Sequence, residues 1–284
     1  MRYLYAILLI SFTALLSGQE LRSYQLYNTK GKKIKFGKAA KKMSKAQIIL
    51  FGELHNNPVD HWLQFELSKY LLENADSVVL GAEMLETDNA PAYNQYLAGE
   101  IDYKALDTLA RLWPNFKTDY KPLLDLARDS SLAFIATNIP RRYARMVYRG
   151  SFESLDTLSD EEKAWIAPLP IAYDPELPGY LAILEMAGGH GGENLPKAQA
   201  IKDATMAHFI FSNLPDGGNF IHFNGDYHSA NFEGIYWYLQ QLNPEVSIAT
   251  ISTVLQKDVS RLEEGNEGRA DYILVIDADM TTSY

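Results

Sequence analysis

Six short, predominantly apolar runs constrain the fold of this chain more than any other feature of its sequence. A strand covered on both faces reads as a continuous apolar run, whereas a half-solvated strand alternates apolar and polar residues. Helical periodicity lies between runs, as in residues 60–74 and 120–129, and this alternation predicts right-handed β-α-β crossovers. We therefore predict an α/β fold with a mostly parallel central sheet flanked by helices. The interior strands are predicted at residues 47–52, 77–83, 132–137, 220–224, 246–252 and 272–277.

Two segments depart from this alternation. Residues 24–27 and 33–36 flank a turn-rich stretch that contains Gly31, a pattern typical of an N-terminal β-hairpin. Between the third and fourth interior strands, about residues 140–213 are rich in helical periodicity, proline and glycine, which indicates a helical insertion. No linker is long enough to divide the chain, so we predict one domain over residues 19–284.

The first 18 residues are typical of a secretory signal peptide. Arg2 precedes an apolar run over residues 6–16, and small residues follow at the expected cleavage site near Gly18. That run is well short of the ~20 apolar residues that span a bilayer. The chain contains no cysteine, which excludes a cysteine-linked lipid anchor, disulfides and thiolate metal sites. We therefore expect a periplasmic or cell-envelope protein that is not a cysteine-anchored lipoprotein.

The charge of the chain argues against some classes of partner. Its formal net charge is −10, which disfavours nucleic acid or an anionic membrane as the main partner. One basic exception is the lysine-rich stretch over residues 30–45. We interpret that stretch as the solvated surface of the hairpin and of a helix start.

Polar residues follow four of the predicted strands at the point where each strand ends. In open parallel sheets, ligands bind outside the carboxyl ends of the strands. These four strand ends therefore bring carboxylates, imidazoles and an amide to one edge of the sheet. The candidate residues are Glu53, His55, Glu83, Asn138 and His228.

Two kinds of chemistry fit this set of side chains. An imidazole beside a carboxylate is a usable general base, and two glutamates in a dry cleft raise each other's pKa. Alternatively, Glu53, His55 and His228 offer the oxygen and nitrogen ligands that bind a divalent metal. The residue types alone leave both interpretations open.

Several motifs resemble those of a known family. The sequence ILFGELHNNP at residues 49–58, followed by His61, is similar to the opening motif of the ChaN-like haem-binding uptake proteins. That family belongs to a wider group that includes Tiki, TraB and erythromycin-esterase-like domains. Four further motifs occur in the family's order, namely GAEM at 81–84, ATNIPR at 136–141, AQAIKDATMA at 198–207 and GDYH at 225–228.

The resemblance implies a bacterial envelope protein that binds haem and takes part in iron acquisition. In such proteins a tyrosine or histidine of the helical insertion can bind the iron at a subunit interface, which implies a homodimer. The candidates are His190, in a glycine-rich segment, and Tyr180. Both residue types are established axial ligands of haem iron.

The same fold is shared with hydrolases, and this is the alternative function. In that case His55 or His228 activates water, Glu53 and Glu83 orient it or bind a metal, and Asn138 polarises the substrate. No serine or cysteine nucleophile motif and no phosphate-binding glycine loop are visible.

Overall fold

The structure is a computed structural model that describes residues 21–188 and 192–284. Within those residues, eight strands form one sheet in the order β2-β1-β8-β7-β3-β6-β4-β5. The predicted signal peptide and His190 lie outside the described residues. The strands are β1 (Tyr24–Asn28), β2 (Lys33–Ile34), β3 (Ile48–Glu53), β4 (Val78–Glu86), β5 (Ala133–Asn138), β6 (Asn219–Gly225), β7 (Ile248–Gln256) and β8 (Tyr272–Asp277).

The sheet confirms the predicted fold class. All pairs among β3 to β8 are parallel, and β1 is antiparallel to both β2 and β8. β3 is buried along its whole length, as an unbroken apolar run requires. β6 lies between β3 and β4, although 132 residues separate the end of β4 from the start of β6 in sequence. The carboxyl ends of β3, β6, β4 and β5 are therefore neighbours at one edge.

Helices cover the sheet and connect its strands. The helix α2 begins at Pro58, a favoured first position, and the side chain of Asn57 caps it by accepting a hydrogen bond from the Val59 amide. No described helix is long and apolar enough to cross a membrane. The helices are α1 (Phe36–Met43), α2 (Pro58–Asn74), α3 (Ala90–Leu97), α4 (Tyr103–Leu109), α5 (Phe116–Asp119), α6 (Lys121–Asp129), α7 (Arg141–Gly150), α8 (Asp160–Lys163), α9 (Pro178–Met186), α10 (Asn194–Ser212) and α11 (Ile235–Leu242).

The predicted helical insertion is also confirmed. The described part of residues 140–213 contains α7 to α10 and no strand. α10 packs against α7, α11 and β5, with Ile201, Met206 and Ile210 fully buried. This packing brings the middle of α10 close to the carboxyl edge of the sheet.

Candidate functional site

Glu53, the last residue of β3, is buried and surrounded by hydrogen-bonding groups. Its Oε1 lies 2.8 Å from Nδ1 of His55 and accepts a 2.7 Å hydrogen bond from the Tyr120 hydroxyl. The side-chain amide of Gln64 donates to Oε2. Burial opposes ionisation of Glu53, but the hydrogen bonds and the nearby imidazoles outweigh it, so the pKa lies below its usual value. Glu53 is therefore a carboxylate that orients His55.

His55 presents one ring nitrogen that is not engaged. Its side chain is 33% exposed, and its ring packs edge-on against Trp113 at 4.8 Å. The His55 carbonyl accepts a 2.8 Å hydrogen bond from Asn115, which holds the loop in place. Burial lowers the pKa of His55, but Glu53 and the charge of Glu83 outweigh this effect and raise it. Across the described residues no group hydrogen-bonds to Nε2, which packs against Gly225.

Asp60 is a buried carboxyl group that stabilises the turn between Glu53 and His55. Its Oδ2 accepts a 3.0 Å hydrogen bond from the Leu54 amide, and its Oδ1 lies 2.6 Å from Oγ1 of Thr253. That hydroxyl has one hydrogen and also lies 2.8 Å from the carbonyl oxygen of Gly52. Complete burial raises the pKa of Asp60 well above its usual value. A neutral Asp60 can donate to Thr253, which then donates to Gly52.

Glu83 lies where the pairing of β4 with β5 is irregular. The register shifts between Ala82 and Glu86, as in a β-bulge that changes the direction of a side chain. Oε2 of Glu83 accepts a 2.7 Å hydrogen bond from the Gly225 amide, and Oε1 lies 3.2 Å from Nε2 of His228. Burial opposes ionisation, but the imidazolium of His228 and these hydrogen bonds outweigh it, so the pKa of Glu83 is far below its usual value.

His228 is held between two buried carboxylates. Its Nδ1 lies 2.5 Å from Oδ1 of Asp203 on α10, and its Nε2 faces Glu83. Burial lowers the pKa of His228, but the two carboxylates outweigh it and raise the pKa to about 10. Burial raises the pKa of Asp203 despite the neighbouring imidazolium. His228 is therefore a fixed cation at neutral pH, not a free base.

Gly225 lies next to both Glu83 and His55 because it ends β6, the strand between β3 and β4. Its amide donates to Glu83, and a Cβ at this position would lie 2.6 Å from Nε2 of His55. A side chain at this position would therefore displace the imidazole of His55.

Asn138 lies at the expected strand end, but its side-chain amide has a different role from the one expected. Its Nδ2 donates a 2.9 Å hydrogen bond to the carbonyl oxygen of Glu83, so that group is not available to polarise a substrate. Its Oδ1 is buried and has no hydrogen-bond partner among the described residues, and the same is true of Oδ1 of Asn115. Each oxygen is an acceptor that a water or a ligand donor can satisfy.

The structure therefore brings Glu53, His55, Glu83, Asn138 and His228 to one edge of the sheet. Sequence reasoning missed three of the groups that position them, Asp203, Gln64 and Tyr120. A signal existed for Asp203, because it is an acid within the mostly apolar stretch AIKDATMA of α10. Gln64 and Tyr120 carry no such signal, since both occur within ordinary amphipathic patterns.

Tyr180 is not exposed in this structure. It is only 3% exposed, and its hydroxyl donates a 3.4 Å hydrogen bond to Oδ2 of Asp203. Burial raises the pKa of its hydroxyl far above the usual value, which disfavours the tyrosinate that binds iron. Tyr180 contacts Asp203, which is itself paired with His228. In this position its hydroxyl does not offer an iron ligand.

The structure does not support the predicted metal set of Glu53, His55 and His228. Within residues 21–188 and 192–284, no group of three or more His, Asp or Glu side chains is arranged to hold a metal ion. Both oxygens of Glu53 accept hydrogen bonds, and both ring nitrogens of His228 face carboxylates. Glu53 and His228 are therefore already paired with other groups of the protein.

The helix α9 presents an exposed apolar surface. Leu181 is 52% exposed and Met186 is 74% exposed, while Ile183 and Leu184 are partly buried. We call these four residues the α9 apolar face; at about 100° per residue, Leu181 and Leu184 lie on one side of the helix, and Ile183 and Met186 lie on the other. Exposed apolar side chains are typical of a binding surface, and their chemistry fits the face of a porphyrin.

Comparison with known proteins identifies the family. The family model described as haem-binding uptake, Tiki superfamily, ChaN matches residues 39–239. The chain belongs to this family. The resemblance drawn from the motifs is thereby confirmed. A comparison with curated protein sequences finds no match.

Solved structures share the fold of this ChaN family member. A structure of ChaN of Campylobacter jejuni, described as showing cofacial haem binding, aligns with a TM-score of 0.67 and 17% identity, covering 90% of this chain and 97% of that one. A Bacillus cereus protein aligns with a TM-score of 0.53 and 12% identity, covering 90% and 95%. A succinoglycan biosynthesis protein has a TM-score of 0.52 and 11% identity, covering 90% and 94%. At these identities the likeness concerns the fold alone.

Proposed function

We propose that this chain is an exported haem-binding protein of the periplasm or cell envelope that takes part in haem or iron uptake. The family match over residues 39–239 carries the proposal. Cofacial haem binding, described for ChaN of Campylobacter jejuni, is what we expect for this chain. Export rests on the signal peptide expected for residues 1–18.

We assign the haem surface to the α9 apolar face and the iron ligand to His190. Leu181 and Met186 supply apolar contacts, and His190 follows Met186 by four residues in sequence. Haem supplies the iron that an imidazole can bind. Tyr180 is the weaker candidate because its hydroxyl is buried against Asp203.

Titration of haem into the purified chain tests this proposal. We expect a shifted Soret band in the wild type, its loss or displacement in His190→Ala, and no change in Tyr180→Phe. His208→Ala is the control, since His208 is another histidine of the insertion, on α10. A wild-type protein that leaves the Soret band unshifted refutes haem binding, and an unchanged band in His190→Ala refutes the assigned ligand.

A homodimer formed through the α9 apolar face follows from the same proposal. A second copy would cover Leu181 and Met186, which are otherwise exposed to water. Light scattering should show a dimer when haem is bound and a monomer for Met186→Glu. A haem-bound protein that stays monomeric at micromolar concentration contradicts the dimer.

One observation favours a second candidate function, hydrolysis. Nε2 of His55 has no hydrogen-bond partner among the described residues, while Nδ1 lies beside Glu53 and the nearby Glu83 is ionised. In such a reaction Nε2 takes a proton from water, and the water oxygen forms a bond to the substrate carbonyl carbon. The proton then passes from Nε2 to the leaving group as its bond to carbon breaks. A haem carrier has no evident need for this arrangement.

Hydrolysis of 4-nitrophenyl acetate tests the second candidate. Activity should fall strongly in His55→Gln and Glu53→Gln and stay unchanged in His190→Ala. A rate in the wild type equal to that in His55→Gln removes the hydrolase assignment and leaves haem binding untouched. The two functions are thus separated by two sets of substitutions.

A further inference from the structure

The distribution of charge along the described chain is highly uneven. Residues 21–52 contain nine Lys or Arg and no Asp or Glu, whereas residues 53–284 contain 16 Lys or Arg and 35 Asp or Glu. Although the net charge of the protein is negative, residues 21–52 form one basic region. Eight of its nine basic residues are the lysines at positions 30, 32, 33, 35, 38, 41, 42 and 45, and all eight are exposed.

Four of these lysines share one face of α1. Lys38, Lys41, Lys42 and Lys45 follow the spacing of a helical face, with Lys45 just past the end of the helix. We call these four residues the α1 lysine stripe. The opposite face of α1, which includes Met43, is buried in the core, so the helix is anchored and its lysines project into solvent. Across the described residues, no carboxylate forms an ion pair with the stripe.

Aromatic side chains lie in the same region. A groove of about 520 Å³ beside the start of α1 is lined in part by Tyr24, Lys33, Lys35 and Phe36. The ring of Tyr24 packs edge-on against Trp62 of α2, with ring centroids 6.0 Å apart. Trp62 is 50% exposed although it is a large apolar residue. An exposed tryptophan therefore lies beside the groove that Lys33 and Lys35 line.

A lysine-rich surface with an exposed tryptophan near one end matches the chemistry of an anionic lipid surface. Lysine ammonium groups pair with lipid phosphates, and tryptophan favours the interface between headgroups and acyl chains. An acidic protein partner would use the lysines but would not require Trp62. The remaining carboxylates do not prevent this contact, because salt screens charges beyond about 8–10 Å.

We propose that the α1 lysine stripe, together with Trp62 beside the groove at the start of α1, forms a peripheral docking surface for an anionic lipid membrane. The hairpin lysines contribute less, because Lys33 shares a neighbouring groove with Asp258 and Asp277. This surface lies on α1 and α2, and it does not include the α9 apolar face. Docking therefore does not depend on haem.

Vesicle sedimentation of the purified chain tests the proposal. Vesicles of equal parts phosphatidylcholine and phosphatidylglycerol should bind the protein, and pure phosphatidylcholine vesicles should not. High salt should release it. The triple variant K38Q/K41Q/K42Q should bind about 100-fold more weakly, since each lysine near an anionic surface contributes about fivefold. Glutamine has nearly the same helix propensity as lysine, so the fold is retained, and circular dichroism checks this.

A matched control removes the same charge elsewhere. The variant K104Q/K117Q/K163Q changes three other exposed lysines and should bind as the wild type does. Trp62→Ala should weaken binding to phosphatidylglycerol vesicles but not binding to heparin. The proposal is overturned if the wild type does not bind phosphatidylglycerol vesicles, or if the stripe and control variants lose binding equally. Tight binding to heparin without vesicle binding also overturns it, in favour of a soluble polyanion.

Discussion

Replacement of Gly225 by alanine is a direct test of the site geometry. The backbone of Gly225 has φ −54° and ψ 140°, which alanine adopts without strain. Any cost therefore arises from the new methyl group. That group would lie 2.6 Å from Nε2 and 2.8 Å from Cε1 of His55, and 3.4 Å from Oε2 of Glu83. The imidazole must move, and its 2.8 Å contact with Glu53 is then lost.

Two estimates of the cost agree. Overpacking of one methyl group costs about 1–3 kcal/mol, and the loss of a hydrogen bond to a charged group costs about 1.5–3 kcal/mol. The His55 side chain is one-third exposed and can give way, so we expect a loss of about 2 kcal/mol in the free energy of unfolding. For a domain of this size, that loss lowers Tm by roughly 4–8 °C.

Urea denaturation and thermal melts measure this loss, and Gly37→Ala is the control. Gly37 lies in α1, and a Cβ there meets no atom within 4 Å, so its replacement should stabilise the protein by up to about 1 kcal/mol. The displaced His55 should also titrate closer to its ordinary pKa of about 6.5 in NMR spectra. If Gly225→Ala unfolds with the wild-type midpoint and His55 titrates unchanged, the close packing of β6 against His55 is wrong.

Three further predictions concern the buried polar groups. The pKa of His228 is about 10 in the folded protein and about 6.5 when unfolded, so its stabilisation is complete below about pH 6.5. The free energy of unfolding should therefore fall from pH 6.5 towards pH 10 in urea titrations, and a flat profile would contradict the ion pairs. Asp60→Asn should lower the free energy of unfolding by less than about 1 kcal/mol at neutral pH. Burial raises the pKa of Asp60, and asparagine has the same shape as its neutral form. A loss above about 3 kcal/mol in chemical denaturation indicates that Asp60 is ionised. Tyr120→Phe should lower the free energy of unfolding by about 1.5–3 kcal/mol, because it removes the hydroxyl that donates to Glu53. The control Tyr148→Phe, at an exposed tyrosine, should leave it unchanged. Equal melting temperatures for the two variants would rule out the hydrogen bond to Glu53.

Much of the site could be predicted because polar residues interrupt apolar runs at strand ends. Glu53 and His55 are two residues apart, and their pairing follows from a turn after a buried strand. The partners of Glu83 could not be predicted in this way. Its hydrogen bond to the Gly225 amide joins residues 142 positions apart, and it forms only because β6 lies next to β4.

The role expected for Asn138 shows the same limit. Its position at the end of β5 was evident from the sequence, but the direction of its amide was not. In the structure Nδ2 donates to the carbonyl oxygen of Glu83, where the pairing of β4 with β5 is irregular. Side-chain direction at a bulge depends on the neighbouring strand and not on local periodicity.

The amino-acid sequence alone determined the class of fold, the approximate strands and the edge of the sheet that carries polar groups. It did so because apolar periodicity is local and reports burial directly. The tertiary structure alone decided the strand order, the ion pairs of His228 with Glu83 and Asp203, and the burial of Tyr180. These depend on which helices pack over which strands, so they arise only when the whole chain closes around its core.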